Sequence, residues 1–550
     1  MMPHRADTST RTRRSGAARA GKWARFRQLV TVALLLAVGS ACARPDRPAG
    51  VVVMASGTDL ESGNPLVTMH PLSRQLQRHA LFVTLVKLDT TLRPEPYFAR
   101  AWQWDDTHRV LTLTLYDGLR WHDGVPTTAG DVVFTMAAAR DTALGSPRAG
   151  DLAALDSVVA LNAHTVRLVF HEPQVTLPTV LAELPVLPQH LLDTVPRTRW
   201  RAHPYATAPV GNGPFRFVTR VAGRQWRFAR NEAFPAALGG PPRLREIVVA
   251  VVDEAATKFA GLVSGELDVA GVSPAMAHLV ARDPSLVLLT PPALFSTVLA
   301  FNTTRAPFND ERVRRAVSLS INRARVVRAA VAGYATPATG AIPPGLPFSS
   351  LGTPKQEIAR ADSLFTASGW TRAPFDSTIA SSSPRTRNGV PLEITLLTVG
   401  SGDMAVEQLV QADLAAVGVR VTIRVMELAT FLSTLRSPLK QFDLVLTGIP
   451  GDMAMGHLSA LFASAQRGGA LDYTGYHDRD LDRALAEAQR ATPAAARLAW
   501  ERVDTELQQQ MPVAWLYHAR GVQGRSRRLD GVVMDLRGEL VSITQWTRRE

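Results

Sequence analysis

The segment from Ala101 to Arg140, AWQWDDTHRVLTLTLYDGLRWHDGVPTTAGDVVFTMAAAR, fixes an order of local elements that leaves the backbone little choice. Leu111, Leu113 and Leu115 alternate with Thr112 and Thr114, the two-residue period of a strand with one buried face. Trp102 and Trp104 alternate likewise, and Asp105-Asp106-Thr107 supplies the short polar side chains that let a chain reverse, so the two runs predict a hairpin. Two further turns, Asp117-Gly118 and Asp123-Gly124, lead to a helix start. There Thr128, with Asp131 three places on, predicts a capping box, in which each side chain satisfies a free backbone N–H ahead of the apolar run Val132, Val133, Phe134 and Met136. Gly130 inside that first turn is a mild defect in helix propensity.

A chain of 550 residues exceeds what one hydrophobic core holds and predicts about three domains. Hydrophobic content of 46% and charged content of 20% are those of a globular chain that can bury its own core. The single cysteine, Cys42, excludes an intrachain disulfide framework and any multi-cysteine metal site. Formal net charge is +13, but residues 1–41 hold eight Arg or Lys against one Asp and account for +7 of it. The remaining +6 is scattered, with no basic helix or zinc-knuckle pattern, so nucleic acid is not expected as a partner.

Residues 1–28 are basic and Leu29–Ala41 (LVTVALLLAVGSA) is apolar or small. At thirteen residues the apolar run falls short of the roughly twenty a spanning helix needs and suits the core of an export signal. The following Gly39-Ser40-Ala41-Cys42 resembles a bacterial lipoprotein signal, although Gly39 departs from the usual leucine. That resemblance implies lipidation of Cys42 and anchoring to a membrane; two or more acyl chains would make the attachment stable. Residues 42–50 then read as a polar, proline-bearing tether.

Farther on, Val210-Gly211-Asn212-Gly213-Pro214-Phe215 opens a second hairpin whose arms carry Phe215, Phe217, Trp226 and Phe228. A phosphate loop is excluded there, because no Lys-Ser/Thr pair follows and the next element alternates as a strand. Residues 253–272 predict a helix, then Ser264-Gly265-Glu266-Leu267-Asp268 and a strand. Asp310 and Asn322 stand where helix N-caps belong, and Gly333 where a helix ends. Residues 371–390 are an irregular Ser/Arg/Pro-rich surface loop. Strand 392–398, helix 405–417 closed by Gly418, and strand 419–425 make a βαβ unit with parallel strands. Residues 442–446 predict another strand ending in Thr447-Gly448-Ile449-Pro450-Gly451-Asp452, and residues 481–510 a helix pair broken near Thr492-Pro493.

The run D-G-x-x-W-H-D-G-x-P (117–126) followed by T-A-x-D-V-V-F (128–134) resembles the signature region of the family-5 extracellular solute-binding proteins of ABC importers. The G-x-G-P-F hairpin closing in Arg230-Asn231, the S-G-E-x-D segment and the block from Leu299 to Gly345 are similar to the same family. That resemblance implies an α/β fold of the periplasmic-binding-protein type (type II, cluster C), with two lobes of mixed sheet and an additional smaller domain. The implied division is a signal at 1–41, a lipidated tether at 42–50, a first lobe of 51–86 with 207–298 and 517–550, an additional domain at 87–206, and a second lobe at 299–516. It further implies a monomer that closes on an oligopeptide- or dipeptide-like ligand in the interlobe cleft. Delivery would be to permease subunits and their ATPases, from the periplasm or outer cell surface. Receptors for a nickel chelate, an opine or a sugar share the fold and stand as alternatives; a secreted hydrolase or a signalling receptor without a transporter is the alternative of a different class.

Chemistry is not signalled. The chain has no H-E-x-x-H, no Walker loop and no G-x-S-x-G, so no catalytic residue, metal ligand or cofactor is assigned. His70 and His79 show no metal-ligand spacing, and His122 reads as part of a turn and not as a general base. One site residue is expected: in several relatives an Asp after the strand corresponding to 442–446 holds a peptide's ammonium, and Asp452 aligns with it. Asp452 equally suits a plain cap of the helix or turn at Met453, and the tryptophan-rich surroundings seen in many relatives are replaced here by GIPGDMAMGH.

Overall fold

The computed structural model describes residues 47–549 apart from 69, 147, 175, 347, 350–354, 373–383, 401–403, 454 and 470. The export segment, Cys42 and the first part of the tether lie outside the described residues, as does the middle of the 371–390 loop.

The hairpin expected from the tryptophans and leucines pairs Ala99–Trp104 with Val110–Leu115, placing Trp104 opposite Leu111 and Trp102 opposite Leu113. Asp105 makes its turn by accepting the N–H groups of Arg109 and Val110 on Oδ1, each at 2.9 Å. Thr165–Phe170 and Leu155–Asn162 complete a four-stranded antiparallel sheet. Thr128 and Asp131 form the reciprocal capping box of helix Ala129–Arg140, with Thr128 N–H donating to Asp131 Oδ2 at 2.8 Å. A Cβ on Gly130 would stand 3.0 Å from Gln189 Oε1, the tip of a flexible side chain.

A seven-stranded mixed sheet runs in the order Leu286–Leu289, Gln523–Ser526, Val269–Gly271, Val51–Ser56, Glu246–Val251, Gln225–Arg230 and Phe215–Val221. Its central strand, Val51–Ser56, is parallel to both neighbours. Asp268 of the S-G-E-x-D segment locks it: the buried carboxylate accepts Val53 N–H at 2.9 Å and pairs with Arg47 at 2.6 Å and Arg548 at 3.0 Å. The two sheets share one continuous apolar core.

A six-stranded sheet lies beyond them, in the order Ala335–Pro337, Val513–Arg520, Pro292–Phe301, Leu444–Pro450, Glu393–Thr398 and Arg420–Val425. Glu393–Thr398, helix Ala405–Ala416 and Arg420–Val425 form the expected βαβ unit, strands parallel and Gly418 at φ 80° closing the helix. Successive residues of the central strand feed opposite faces, Val298 and Ala300 into one core and Leu299 and Phe301 into the other, so both faces are covered. The strand expected at 442–446 starts two residues later and continues to Pro450. Asn302 explains the late start, because its Nδ2 donates to Lys440 O and Phe442 O at 2.7 and 2.8 Å and holds that stretch off the ladder. Gly448 is a packing glycine: a Cβ there would lie 2.0 Å from Phe295 Cζ.

Only two short links, Thr290-Pro291 and Gly521-Val522, carry the chain between the seven- and six-stranded sheets at this point, and they run side by side. Gly521 N–H donates to Pro291 O at 2.8 Å, and Arg520 Nη2 donates to Thr290 O at 2.7 Å. The boundaries drawn from the sequence at 298/299 and 516/517 fall inside the two strands that make this crossing.

The glycines of the Gly211–Phe215 motif permit a close backbone approach. A Cβ on Gly211 would stand 2.0 Å from Leu81 O, and Gly213 N–H donates to that same oxygen at 2.9 Å. Asn212 between them is fully buried and accepts Val83 N–H on Oδ1 at 3.0 Å. Gly211→Ala is therefore expected to destabilise the protein by about 1–3 kcal/mol through overpacking against immovable backbone. A urea-unfolding midpoint equal to the parent's would contradict this.

Candidate functional site

Six charged side chains converge between the two lobes. Helix Pro71–Leu76 passes directly into a wide turn, Gln77–Leu81, closed by Phe82 N–H donating to Gln77 O at 3.0 Å. Arg74 and Arg78, four residues apart, lie one turn from each other along this segment. Two like charges so placed repel unless anions answer them. Glu183, at the end of helix Val180–Glu183, answers one and a neighbour: it pairs with Arg78 at 3.6 Å and with Arg148 at 2.9 Å. Asp151 also pairs with Arg148, at 2.9 Å. The Arg74 guanidinium has no hydrogen bond or ion pair among the described residues, and enclosure weakens its hold on its proton, with the nearby Arg148 acting the same way.

Asp452 enters from the other lobe, two residues beyond strand Leu444–Pro450. Its charge is felt by Arg74, Arg148 and Asp151 across the gap. The carboxylate caps helix Gly456–Phe462: Gly456 N–H donates to Oδ1 at 2.9 Å and His457 N–H to Oδ2 at 2.8 Å, with His457 Nδ1 3.2 Å from Oδ2. Enclosure pushes this carboxyl up, but the hydrogen bond and charge of His457 and the two backbone N–H groups outweigh it and bring the pKa down to about 2. The side chain remains 29% exposed, so the anion is held rigidly and still faces the gap. On the rim, Arg490 of the second lobe pairs with Glu172 of the first at 2.7 Å.

The histidines behave as structural groups. His122 N–H donates to Gly211 O at 2.7 Å and its Nε2 lies 3.0 Å from Gly213 O, fastening the W-H-D-G turn to the Gly211–Phe215 motif. Burial depresses its pKa to about 4, so the ring is neutral near pH 7. His70 caps the helix at Pro71 by accepting Ser73 N–H at 3.2 Å on Nδ1. Among the described residues, no group of three or more side chains could hold a metal ion.

The structure thus places Asp452 in the cleft and joins it to residues the sequence reading passed over, Arg74, Arg78, Arg148, Asp151 and Glu183. One signal was available: Arg74 and Arg78 at helical spacing with no acidic residue between them.

The model of the bacterial extracellular solute-binding proteins, family 5, matches residues 93–468 of the chain. The chain belongs to that family. It is a solute-binding protein of ABC importers and not an enzyme. The glutathione-binding protein GsiB of Escherichia coli K12 is 24% identical over 514 residues, 92% of this chain and 95% of that one. Among solved structures, NikZ from Campylobacter jejuni in complex with Ni(L-His) superposes with a TM-score of 0.77 at 20% identity, covering 91% of this chain and all of NikZ. The oligopeptide-binding protein AppA from Bacillus subtilis, in complex with a nonapeptide, gives 0.76 at 20% identity over 92% of this chain and all of AppA. These likenesses give the family-5 protein its two-lobed type II fold. Among the described residues no helix is long and apolar enough to cross a membrane.

Asp452 contributes to stability through its cap and its contact with His457. Because its folded pKa is depressed, that contribution is full above the ordinary value of 3.8 and is lost as pH falls through about 2. Asp452→Ala is expected to cost about 1–2 kcal/mol at neutral pH, with the difference from the parent shrinking as pH drops from 4 towards 2. Guanidinium unfolding of both proteins across that range checks the sign; a difference that grows on acidification would refute it.

Proposed function

We propose that this family-5 protein captures a peptide-like solute between its lobes, holds the solute's ammonium on Asp452, and delivers it to permease subunits driven by their ATPases. The observation that carries this reading is the state of the Asp452 carboxylate. Backbone N–H groups fix both oxygens and keep them ionised, yet Oδ1 accepts only one hydrogen bond and retains capacity for another donor. An ammonium is the donor such an anion orients best, since a charge-assisted bond in a closing, water-poor cleft is stronger than the same bond in water. Relatives named for glutathione and for an oligopeptide support the solute class. Contacts to both lobes favour the closed arrangement, which is how binding becomes a signal the permease can read.

The test is calorimetric titration of the purified protein with a peptide library, together with mass spectrometry of whatever solute copurifies. Peptides are expected to bind, and Asp452→Ala is expected to weaken them by roughly 1.5–3 kcal/mol, the worth of a hydrogen bond to a charged group. A copurified sugar, with no heat from any peptide, would overturn the reading.

Anchoring of the protein as a monomer through lipidated Cys42 belongs to the same proposal, supported by the apolar run before that residue and the polar tether after it. In cell fractionation, the parent is expected with membranes and Cys42→Ser in the soluble fraction. Equal partition of the two would count against the anchor.

A further inference from the structure

We infer that the end of the seven-stranded sheet from which the tether leaves is a docking surface for anionic lipid headgroups, holding the anchored protein with that pole against the bilayer. The inference takes its geometry from the reading of Cys42 as the anchor and adds a second membrane contact to it.

The tether is fastened at its root. Arg47 pairs with the buried Asp268 at 2.6 Å and also donates to Gly265 O, so the chain is pinned to the first lobe just before strand Val51–Ser56 begins. Five residue steps separate Cys42 from Arg47. At no more than about 3.6 Å each, they reach about 18 Å. An acyl chain on Cys42 therefore keeps this end of the sheet within about two Debye lengths of the headgroups, where its charges are felt.

That end gathers arginines from four separate stretches of chain. Arg245 N–H donates to Gly50 O at 2.9 Å, beside the tether itself, and Arg243 N–H to Thr544 O at 3.3 Å. Arg282 ends helix Ala277–Arg282, just before strand Leu286–Leu289 enters the sheet. Arg527 N–H donates to Ser285 O at 2.8 Å and its Nε to Pro284 O at 2.7 Å, while Arg549 N–H donates to Arg528 O at 2.8 Å. Of these six, Arg528 is half-buried and the other five are exposed. Most of the acids nearby are committed. Asp268 serves Arg47, Arg548 and Val53 N–H, Asp530 pairs with Arg549 at 2.5 Å, and Asp283 accepts Ser285 N–H at 2.8 Å and Ser285 Oγ at 2.6 Å. With the partly buried Arg47, Arg525 and Arg548 included, and with Glu266 and Glu550 of the sequence counted against them, nine arginines stand against five acids, a local +4.

Guanidinium heads carried on a rigid sheet suit phosphate, which they meet with paired N–H donors. A single acyl chain binds a membrane only reversibly, and a basic patch beside it supplies the second contact that makes attachment stable. The contact also orients the molecule. Strands Leu286–Leu289 and Gln523–Ser526 connect this pole to the links Thr290-Pro291 and Gly521-Val522, so the second lobe is attached at the end of the sheet away from the lipid.

The exported Cys42→Ser protein, purified from the soluble fraction, tests this by cosedimentation with vesicles of phosphatidylglycerol and phosphatidylcholine in equal parts, and with phosphatidylcholine alone. Binding to the anionic vesicles is expected to be about tenfold tighter or more at about 50 mM salt, and to weaken as salt rises to about 300 mM. Arg243→Gln, Arg245→Gln and Arg527→Gln together are expected to cost about tenfold or more of it. Arg483→Gln, Arg497→Gln and Arg502→Gln together remove the same charge from exposed positions of the second lobe and are expected to change it by less than about twofold. Unfolding midpoints establish that both triple variants fold. Equal binding to the two kinds of vesicle, anionic binding that survives the first triple variant, or equal loss in both would each overturn the inference. Fractionation after a salt wash separates it from the anchor. If Cys42→Ser binds neither vesicle while the parent stays with washed membranes, the docking surface falls and the anchor stands; selective vesicle binding, with parent and Cys42→Ser washing off alike, supports the surface and overturns the anchor.

Discussion

Charges gathered between two lobes have to be answered by opposite charges, and that demand organises the space there. Interior charges interact far more strongly than surface ones, but the cost of withdrawing them from water is of similar size, so an unanswered charge is a liability. Glu183 meets it for two arginines at once by presenting an oxygen to each of Arg78 and Arg148. Asp452, on the far side, is committed to a helix cap, yet its Oδ1 keeps room for one more donor. A binding protein needs such a residue. A cleft whose every charge is already paired has nothing left to offer a solute and no reason to close on one.

The scaffold meets the same demand by the opposite means, satisfying every lone pair it can. Asp268 secures the first strand, the tether and the last strand with one carboxylate, through Val53, Arg47 and Arg548. Asp59 does likewise for the second hairpin, accepting Trp226 Nε1 at 2.5 Å, Arg220 Nη2 at 2.7 Å and Gly223 N–H at 2.9 Å. In the other lobe Asn302 donates to Lys440 O and Phe442 O while its Oδ1 accepts from Thr304, fixing where strand Leu444–Pro450 begins. Since Asp452 stands two residues beyond the end of that strand, the position of the cleft anion is set by a buried amide more than a hundred residues upstream. Networks of this kind hold a binding group within the tolerance that charged recognition needs.

Much of the fold was legible because its signals are local. Alternation at Leu111–Leu115, the caps at Thr128, Asp310 and Asn322, and the closing glycines 333 and 418 each act within a few residues, and all appear in the structure as read. A glycine whose reason is tertiary was not legible. Gly448 carries no local signal that it makes room for Phe295. The site was legible only in part. Asp452 was reached through resemblance; it caps a helix that starts three residues beyond Met453, and its side chain stays partly exposed towards the gap. The charges of the cluster come from segments as distant as Arg74, Glu183 and Asp452, and no periodicity or spacing rule links residues so far apart.

The crossing between the lobes shows why the solute can decide the outcome. Two short links, held together by Gly521 N–H on Pro291 O and by Arg520 on Thr290, allow a change of angle about one line without breaking either sheet. Across the cleft, the ion pair on the rim is Arg490 with Glu172, and Arg490 is 59% exposed, so solvent screens it and it contributes about 0–1 kcal/mol. A rim contact that weak cannot by itself hold the lobes together. A solute that contacts both lobes supplies differential binding energy directly to the closed form, and a tenfold shift in that balance needs only about 1.4 kcal/mol. Leu92 and Leu536 of the first lobe also pack against the core of the second, so the halves meet through apolar as well as charged contacts, and a solute adds to both when it touches both lobes.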